Sequence, residues 1–130
     1  MLEVQQAAAI ASRDTPDSQL QRRSGADVAR ELGTRYLLRY LLPHQLGQFQ
    51  NGSSRKHHVT PTPYSPEETI SWLALPQPTE ARTYVMLLDP ARISVILGPR
   101  WVRLGKGIEY VLPDGFPQGA IVFRWEVPVT

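Results

Sequence analysis

The sequence predicts an α+β protein, in which an N-terminal helical part precedes a small antiparallel β-sheet domain. Two kinds of local pattern predict this class: helical apolar periodicity in the first half, and short apolar runs between turn residues in the second half. The 130 residues fit a single folding unit by length, and twelve prolines favour loops and short elements over long regular ones.

Composition narrows the range of functions. The formal net charge of +2 is close to balance, so it does not by itself require a nucleic acid or an anionic membrane as partner. The chain contains no cysteine, which excludes disulfides, cysteine-ligated zinc and thiol nucleophiles. Its first residues lack the basic flank and apolar run of a signal peptide, and no stretch approaches the ~20 apolar residues of a membrane span. We therefore expect a soluble protein with no membrane partner.

A first helix is predicted from Ser24 to about Leu42. Ser24 or Asp27 would cap its start, and Pro43 would end it because proline cannot donate the helical hydrogen bond. An apolar side chain recurs at every fourth position, as on the buried stripe of an amphipathic helix. This stripe consists of Val28, Leu32, Tyr36 and Tyr40.

Three arginines lie off that stripe, at positions 30, 35 and 39. Arg30, Arg35 and Arg39 would either contact a phosphate or an acidic partner, or form the solvated face of the helix. The first of these alternatives gives the chain a function as an interaction module without catalysis.

Polar segments flank this helix and suggest a division of the chain. Residues 12–25 have no apolar period and are expected to form a linker or frayed arm, and residues 44–56 read as a polar connection with a turn at Asn51-Gly52. The predicted division is a flexible arm or linker over 1–25, a helical segment and connection over 26–54, and a small α+β nucleotide-binding domain over 55–130.

A second helix is predicted to begin at Ser65. Ser65 would be the N-cap, Pro66 the first helical residue and Glu68 the partner that completes a capping box, with the end before Pro76. Tyr64 and Trp72 would line a cleft beside this helix or, alternatively, belong to the core.

The remainder predicts β structure. Residues 83–88 form an apolar run typical of a central strand, and residues 89–92 a turn or single helical turn capped by Asp89. In residues 120–129, Ile121, Phe123, Trp125 and Val127 alternate with other residues and predict one buried face. The other predicted strands are 93–97, 100–104 and 108–112.

Several well-known catalytic motifs are absent from the sequence. There is no HExxH motif or cysteine ligand set for zinc, no GxSxG nucleophile elbow, and neither GxxxxGK[ST] nor GxGxxG for phosphates. We therefore predict no metal site.

Two segments carry the remaining candidates for chemistry. His57 and His58 lie in an extended segment, where neighbouring side chains point to opposite faces, so a pocket would receive either His58 with Thr60 or His57 with Val59. Residues 105–115 place Glu109 at the start of an apolar strand behind Gly105 and Gly107. That arrangement suits a carboxylate that holds a ribose, or else a solvated glutamate in a hairpin.

The order of His, Tyr and acid resembles the ADP-ribosyltransferases, in the branch whose signature has those three residues and which includes small toxin domains of bacterial polymorphic toxins. The segment GKGIEYVLP at residues 105–113 is also similar to the glycine-rich, Glu-Tyr, Leu-Pro segment of NAD glycohydrolases of the tuberculosis-necrotizing-toxin type. The resemblance covers roughly residues 55–130. It implies a split-sheet fold and NAD as the substrate.

The resemblance also implies roles for individual residues. His58, with Thr60, would hold the adenosine ribose, Tyr84 would pack on nicotinamide, and Glu109 would bind the nicotinamide ribose and support cleavage of its glycosidic bond. Gly107 stands where many protein-modifying members carry a second acid or glutamine, which favours NAD hydrolysis over target modification.

Two arginines next to the glycine loop add a further alternative. Arg100 and Arg103, on either side of Trp101, would reach a pyrophosphate or be exposed residues of a strand.

The predicted function is thus an NAD-consuming toxin or effector domain, secreted or delivered into a target-cell cytoplasm. Its partners would be NAD, a protein or nucleic-acid acceptor, and an immunity protein. The alternative is the interaction module described above.

Overall fold

A computed structural model describes residues 9–33, 35–41, 43–61, 84–102 and 107–126. These residues form an α+β fold with antiparallel sheets, which confirms the predicted class. The predicted helix that begins at Ser65 lies outside the described residues, as do Tyr64 and Trp72 beside it.

The described elements are short. The helices are α1 (Gly25–Leu32) and α2 (Pro43–Phe49), and 3-10 turns cover Asp17–Gln19, Pro90–Arg92 and Gln118–Ala120. The strands are β1 (Arg22–Ser24), β2 (Leu37–Leu41), β3 (Gly52–Ser53), β4 (His57–Val59), β5 (Tyr84–Leu88), β6 (Val95–Trp101), β7 (Ile108–Leu112), β8 (Phe116–Pro117) and β9 (Ile121–Glu126).

Pairing of these strands gives two main sheets and one small two-stranded sheet. The larger sheet has the order β1-β6-β7-β4, the second has the order β2-β5-β9, and β3 pairs with β8. Leu38 of β2 and Thr60, just after β4, exchange two backbone hydrogen bonds of 2.7 and 3.0 Å. The two main sheets are therefore connected where β2 passes the end of β4.

Helix α1 begins as predicted but ends ten residues early, far more than the usual scatter of about one or two residues in helix boundaries. Ser24 Oγ accepts a hydrogen bond of 3.1 Å from the Asp27 N–H, and Gly33, at φ 68°, closes the last turn by donating to the carbonyl of Ala29. The predicted continuation of the helix is wrong, because residues 37–41 form β2 instead.

The physical reason lies in the burial of β2. Leu37, Leu38, Tyr40 and Leu41 are all buried, so apolar side chains occupy both faces of the segment. Apolar residues at every fourth position fit the buried stripe of a helix. An apolar run that is buried on both sides also fits a central strand, and here β5 provides the backbone partners.

The segments predicted as linkers are also ordered elements. Within residues 12–25, expected to be a linker or frayed arm, β1 pairs with β6 and Leu20 is buried. Pro43 begins α2, which extends into the predicted polar connection, and does not end a helix. The first position of a helix suits proline, because the N–H that proline lacks needs no partner there. The predicted turn at Asn51-Gly52 is confirmed, with Gly52 at φ 92°.

The strands of the second half agree with the prediction in two cases and differ in two. β5 and β7 are confirmed, as is the 3-10 turn capped by Asp89, whose Oδ1 accepts from the Ala91 N–H at 3.0 Å. The two strands predicted on either side of Gly98-Pro99 are one strand, β6, with a bulge between Leu97 and Arg100. The predicted buried face of the last strand is wrong at Phe123, which is 56% exposed.

One hydrophobic core joins the predicted divisions of the chain. Its buried residues come from α1, α2 and both main sheets, so segments assigned to 26–54 and 55–130 pack together. The members with no exposed surface are Val28, Leu37, Leu41, Met86, Leu88, Ile96, Leu112 and Ala120. This core fixes the two faces of β7, one toward the core and one away from it.

Candidate functional site

Glu109 lies on the face of β7 opposite to the core. Tyr110 and Leu112 of the same strand belong to the hydrophobic core. Because side chains alternate along a strand, Glu109 and Val111 lie on the other face. Glu109 is nevertheless only 8% exposed. The side chain is therefore a buried acid and not the solvated glutamate of a hairpin.

Arg100 occupies the facing position on β6 and forms an ion pair with Glu109. In the β6–β7 register Arg100 is the direct partner of Glu109, and its Nε and one terminal nitrogen lie 2.9 and 2.6 Å from the same carboxylate oxygen, Oε1. Burial opposes the charge of the guanidinium, but hydrogen bonds to Glu109 and Asp17 outweigh it and raise the pKa of Arg100.

The N-terminal segment completes this arrangement. Arg100 donates to the carbonyl of Thr15 at 2.8 Å and to Oδ1 of Asp17 at 2.7 Å, and Lys56 contacts the other oxygen of Asp17 at 2.9 Å. The hydrogen bond from Lys56 lowers the pKa of Asp17, and the one from Arg100 adds to this effect. Burial has the opposite effect but does not outweigh them. Residues that the sequence assigned to a flexible arm thus contribute a charge to the site.

His58 reaches the second oxygen of Glu109. It lies opposite Val111 on β4, hence on the same face of the sheet as Glu109, and its Nδ1 is 3.8 Å from Glu109 Oε2. Burial lowers the pKa of His58. The negative charges of Glu109 and Asp17 raise it again, but only in part. The imidazole is therefore neutral at pH 7, and its side chain remains 47% exposed.

Glu109 Oε2 makes no hydrogen bond within the described residues. No fully buried side-chain nitrogen or oxygen among them lacks a partner, so Oε2 keeps a small exposed surface. The site consequently presents one fixed carboxylate oxygen beside one exposed imidazole.

The other predicted residues lie elsewhere. His57 is the buried imidazole of the pair, on the core side with Val59, and Thr60 is 1% exposed with its backbone paired to Leu38. Tyr84 belongs to the second sheet, between Leu41 and Glu126 in the strand order, and packs against the core. The structure therefore groups His58, Glu109 and Arg100, and places Tyr84 on a different sheet.

The glycine loop is described only in part. The carbonyl of Gly107, which is buried, accepts a hydrogen bond of 2.9 Å from the Val102 N–H. Arg103 and Gly105 lie outside the described residues. Of the two alternatives for Arg100, that of an exposed strand residue is wrong, since Arg100 is 8% exposed.

The three arginines of the alternative function do not share a helix face. Arg30 pairs with Asp27 on α1, Arg35 follows the helix and donates to the Leu32 carbonyl, and Arg39 lies on β2. This scatter follows from the replacement of the predicted helix by β2.

Asp17 and Thr15 are the members of the site that sequence reasoning missed. They stand in a polar stretch without period, and nothing in that stretch marks a residue that will meet an arginine so far along the chain. The pairing of β1 with β6 and the backbone bridge between Ala11 and Arg100 bring the segment to Arg100.

Three further observations concern metal sites, membrane-spanning helices and similar proteins. Among the described residues no group of three or more His, Asp or Glu side chains has the arrangement of a metal site. No helix in the same part of the chain is long and apolar enough to cross a membrane. Comparison of the chain with protein-family models, curated proteins and solved structures gives no match.

Proposed function

We propose that the protein is an NAD-consuming toxin or effector domain that cleaves the bond between nicotinamide and ribose, by hydrolysis or by ADP-ribosyl transfer. The observation that carries the proposal is the approach of His58 Nδ1 to within 3.8 Å of Glu109 Oε2. These are the two residues to which the resemblance assigns ribose binding and support of bond cleavage, and they come from distant parts of the sequence.

The separation of the two atoms suits a bridging hydroxyl group. An oxygen about 2.8 Å from each atom, an ordinary hydrogen-bond length, fits between atoms 3.8 Å apart. A hydroxyl of the nicotinamide ribose in that position would donate to Oε2 and interact with the imidazole, so that His58 would bind this ribose and not the adenosine ribose that the resemblance assigns to it. A vicinal diol of a ribose provides such a group.

The ion pair with Arg100 gives the carboxylate a fixed direction. Because both Arg100 donors bind Oε1, the other oxygen is held toward His58 and toward solvent. Cleavage of the glycosidic bond builds positive charge on the ribose, and a carboxylate that is already oriented stabilises this charge without reorganisation. We therefore assign Arg100 to the positioning of Glu109 and not to a pyrophosphate.

The remaining parts of the proposal have other support. Roles for Thr60, Tyr84, Arg103, Gly105 and Gly107 in holding NAD rest on the resemblance, as do the ADP-ribosyltransferase fold, the toxin context, the acceptor and the immunity protein. The interaction module has no comparable support, because its three arginines do not lie on one helix.

Nicotinamide release by the purified protein tests the proposal, and a matched control is available. Glu31 forms an ion pair with Arg23 of the same 2.6 Å length and the same side-chain exposure as the Glu109–Arg100 pair. We expect Glu109→Gln to lower the rate by about 100-fold or more, the loss seen when one electrostatic group is removed from a transition state. Glu31→Gln should retain the rate of the parent per folded molecule.

His58→Ala provides the second arm of the experiment. We expect it to raise the KM for NAD more than it lowers kcat, since the imidazole would contribute mainly to binding. A folded parent that releases no nicotinamide, or equal rates in the parent and Glu109→Gln, would contradict the proposal.

A further inference from the structure

A cleft with a mixed polar and apolar lining lies apart from the His58–Glu109 site. It opens between the β3–β8 pair and residues 93–95, has a volume of about 530 Å³, and is lined by none of the residues predicted from the sequence to bind or react. That volume lies within the range of pockets that bind small molecules, about 300–1,000 Å³. The polar side chains that line it belong to Asn51, Ser53, Ser54, Ser94 and Asp114.

A chain of hydrogen bonds ends at the cleft on Ser53. Arg39 Nε donates to His57 Nδ1 at 3.2 Å, and His57 Nε2 lies 2.8 Å from Ser53 Oγ. Arginine has no acceptor, so Nδ1 must be the nitrogen without a hydrogen. Burial lowers the pKa of His57 to about 4, and the ring is therefore neutral at pH 7 with its hydrogen on Nε2.

The state of His57 determines what Ser53 can do. Ser53 Oγ accepts from His57 Nε2 and also from the Arg55 N–H at 3.1 Å, which uses both acceptor positions of the hydroxyl. The hydroxyl hydrogen remains, and the Ser53 side chain makes no other hydrogen bond within the described residues. Ser53 lines the cleft and therefore has one hydrogen that it can donate to a ligand there. His57 cannot act as its base, because the facing nitrogen already carries a hydrogen.

Close backbone contact holds this donor in position. Gly115 has φ 74°, and a Cβ there would stand 2.0 Å from the carbonyl oxygen of Ser53. Gly52, at φ 92°, would bring a Cβ within 2.8 Å of the backbone of residues 116 and 118. The β3–β8 wall is therefore packed at the level of the backbone, which keeps the Ser53 hydroxyl oriented before a ligand arrives.

The chemistry of the lining indicates the class of ligand. None of the described residues that line the cleft is Lys, Arg or His, which disfavours a phosphate or carboxylate ligand. The Asp114 carboxylate accepts, the Ser53 hydroxyl donates, and the Asn51 amide does both. Ile93, Val95 and Pro117 add apolar surface suited to the C–H groups of a sugar ring.

We infer that this cleft is a binding site for a neutral saccharide of one or two rings. Ligand hydroxyls would accept from Ser53 and donate to Asp114, and the ligand would lie against the apolar wall. The inference does not depend on the proposed NAD chemistry, because the two sites share no residue.

Titration with a matched set of sugars, followed by amide chemical shifts, tests the inference on the full chain. The neutral probes are glucose, N-acetylglucosamine, cellobiose and chitobiose, and the charged controls are glucuronate and glucosamine. We expect saturable shifts at Ser53, Ser94 and Gly115 with at least one neutral probe, and weaker binding of both charged controls. No saturable shift with any neutral probe, or tighter binding of a charged control, overturns the inference.

Variants separate the cleft from the rest of the surface. Ser53→Ala should weaken binding by about tenfold, as expected for one lost hydrogen bond, and Asp114→Asn, at an exposed position, should weaken it without affecting folding. Ser12→Ala, which changes a serine outside the cleft, should bind like the parent. Unchanged binding by both Ser53→Ala and Asp114→Asn overturns the inference.

Discussion

Two ion pairs on opposite faces of β7 have the same length and the same burial, but differ in their surroundings. Glu31 Oε2 accepts from both Arg23 at 2.6 Å and the Tyr110 hydroxyl at 2.8 Å, so the pair connects α1, β1 and β7 beside the core. Glu109 uses Oε1 for Arg100 and leaves Oε2 beside an exposed imidazole. Burial and length therefore do not distinguish a candidate site from a structural pair. What differs is the second neighbour of the carboxylate, which is the buried Tyr110 phenol for Glu31 and the exposed His58 imidazole for Glu109.

Arg100 also holds more groups than Arg23. It binds Glu109, Asp17 and the Thr15 carbonyl, and thus fixes the N-terminal segment as well as the acid. Glu31, if it lost Arg23, would still have the Tyr110 hydroxyl. This difference should have its largest effect on the free energy of unfolding when either arginine is replaced.

Replacing each arginine with methionine should separate the pairs most clearly. We expect Arg100→Met to lower the free energy of unfolding by about 3–5 kcal/mol, since it leaves a buried carboxylate without its charge partner. Arg23→Met should cost at least about 1 kcal/mol less, because Tyr110 still donates to Glu31. Urea unfolding followed by circular dichroism measures both, and equal losses would show that the added contacts of Arg100 contribute nothing.

Acid should act first through His57, behind the site. Burial, together with the charges of Arg39, His58 and Arg55, lowers the pKa of His57 from 6.5 to about 4, so the folded state disfavours its protonation. Stability is then complete above pH 6.5 and falls as the pH drops toward 4, by on the order of 3 kcal/mol. His57→Gln should flatten this part of the profile of unfolding free energy against pH.

A control is needed for the neighbouring imidazole, whose pKa is also lowered. His58→Gln should leave most of the acid dependence in place, since His58 is the exposed member of the two. A larger effect from His58→Gln than from His57→Gln would contradict the assignment.

Alkali should act on the Glu31 pair and not on the Glu109 pair. Burial and the hydrogen bond to Glu31 raise the pKa of Tyr110 above its ordinary value of 10.0, so the fold favours the neutral phenol. Stability is present below pH 10 and is lost as the pH rises toward the folded pKa. Tyr110→Phe should cost about 1.5–3 kcal/mol at pH 7 and make the alkaline decline less steep.

Spectroscopic titration of the tyrosines checks the same assignment without unfolding the protein. The parent should show a phenol that ionises above the ordinary value of 10.0, and this late step should be missing in Tyr110→Phe. Persistence of the late step in the variant would assign it to another tyrosine.

The smallest expected effect concerns the outer part of the Glu109 cluster. The pKa of Asp17 is lowered, so its contribution to stability is present above pH 3.8 and is lost as the pH falls through the folded value. Lys56 is 55% exposed, and Lys56→Ala should cost only about 0–1 kcal/mol, with the loss reduced at high salt.

Asp17→Asn should cost more than Lys56→Ala, because it also removes a contact to buried Arg100. Unfolding at low and high salt measures both variants. A larger loss from Lys56→Ala would show that the exposed contact, and not the one to Arg100, fixes the N-terminal segment.

Local signals in the sequence predicted local features well. The Ser24 cap, the Asp89 turn and the glycine turn at position 52 depend on groups two or three residues away, and all three are present. The strands β5 and β7 were also predictable, because β-rich apolar runs bounded by turn residues allow few other structures.

The candidate site was predictable only in part. Glu109 was recognised from its place behind glycines, and His58 from its alternation with His57 in an extended segment. The role of Arg100 was not, because the sequence leaves open which residue of β6 faces Glu109. That depends on the bulge between Leu97 and Arg100, which shifts the register between the two strands.

The sequence by itself determined where α1 starts, where the short turns lie and which strand carries Glu109, because each of these depends on neighbouring residues. The tertiary structure alone decided that residues 37–41 form a strand, that the N-terminal segment joins β6, and that Arg100 meets Glu109 and Asp17. An apolar segment covered on both faces fits a helix or a strand, and only its backbone partners select between them. For the same reason, a polar residue becomes part of a charge cluster only when strand pairing brings its partner within hydrogen-bond distance.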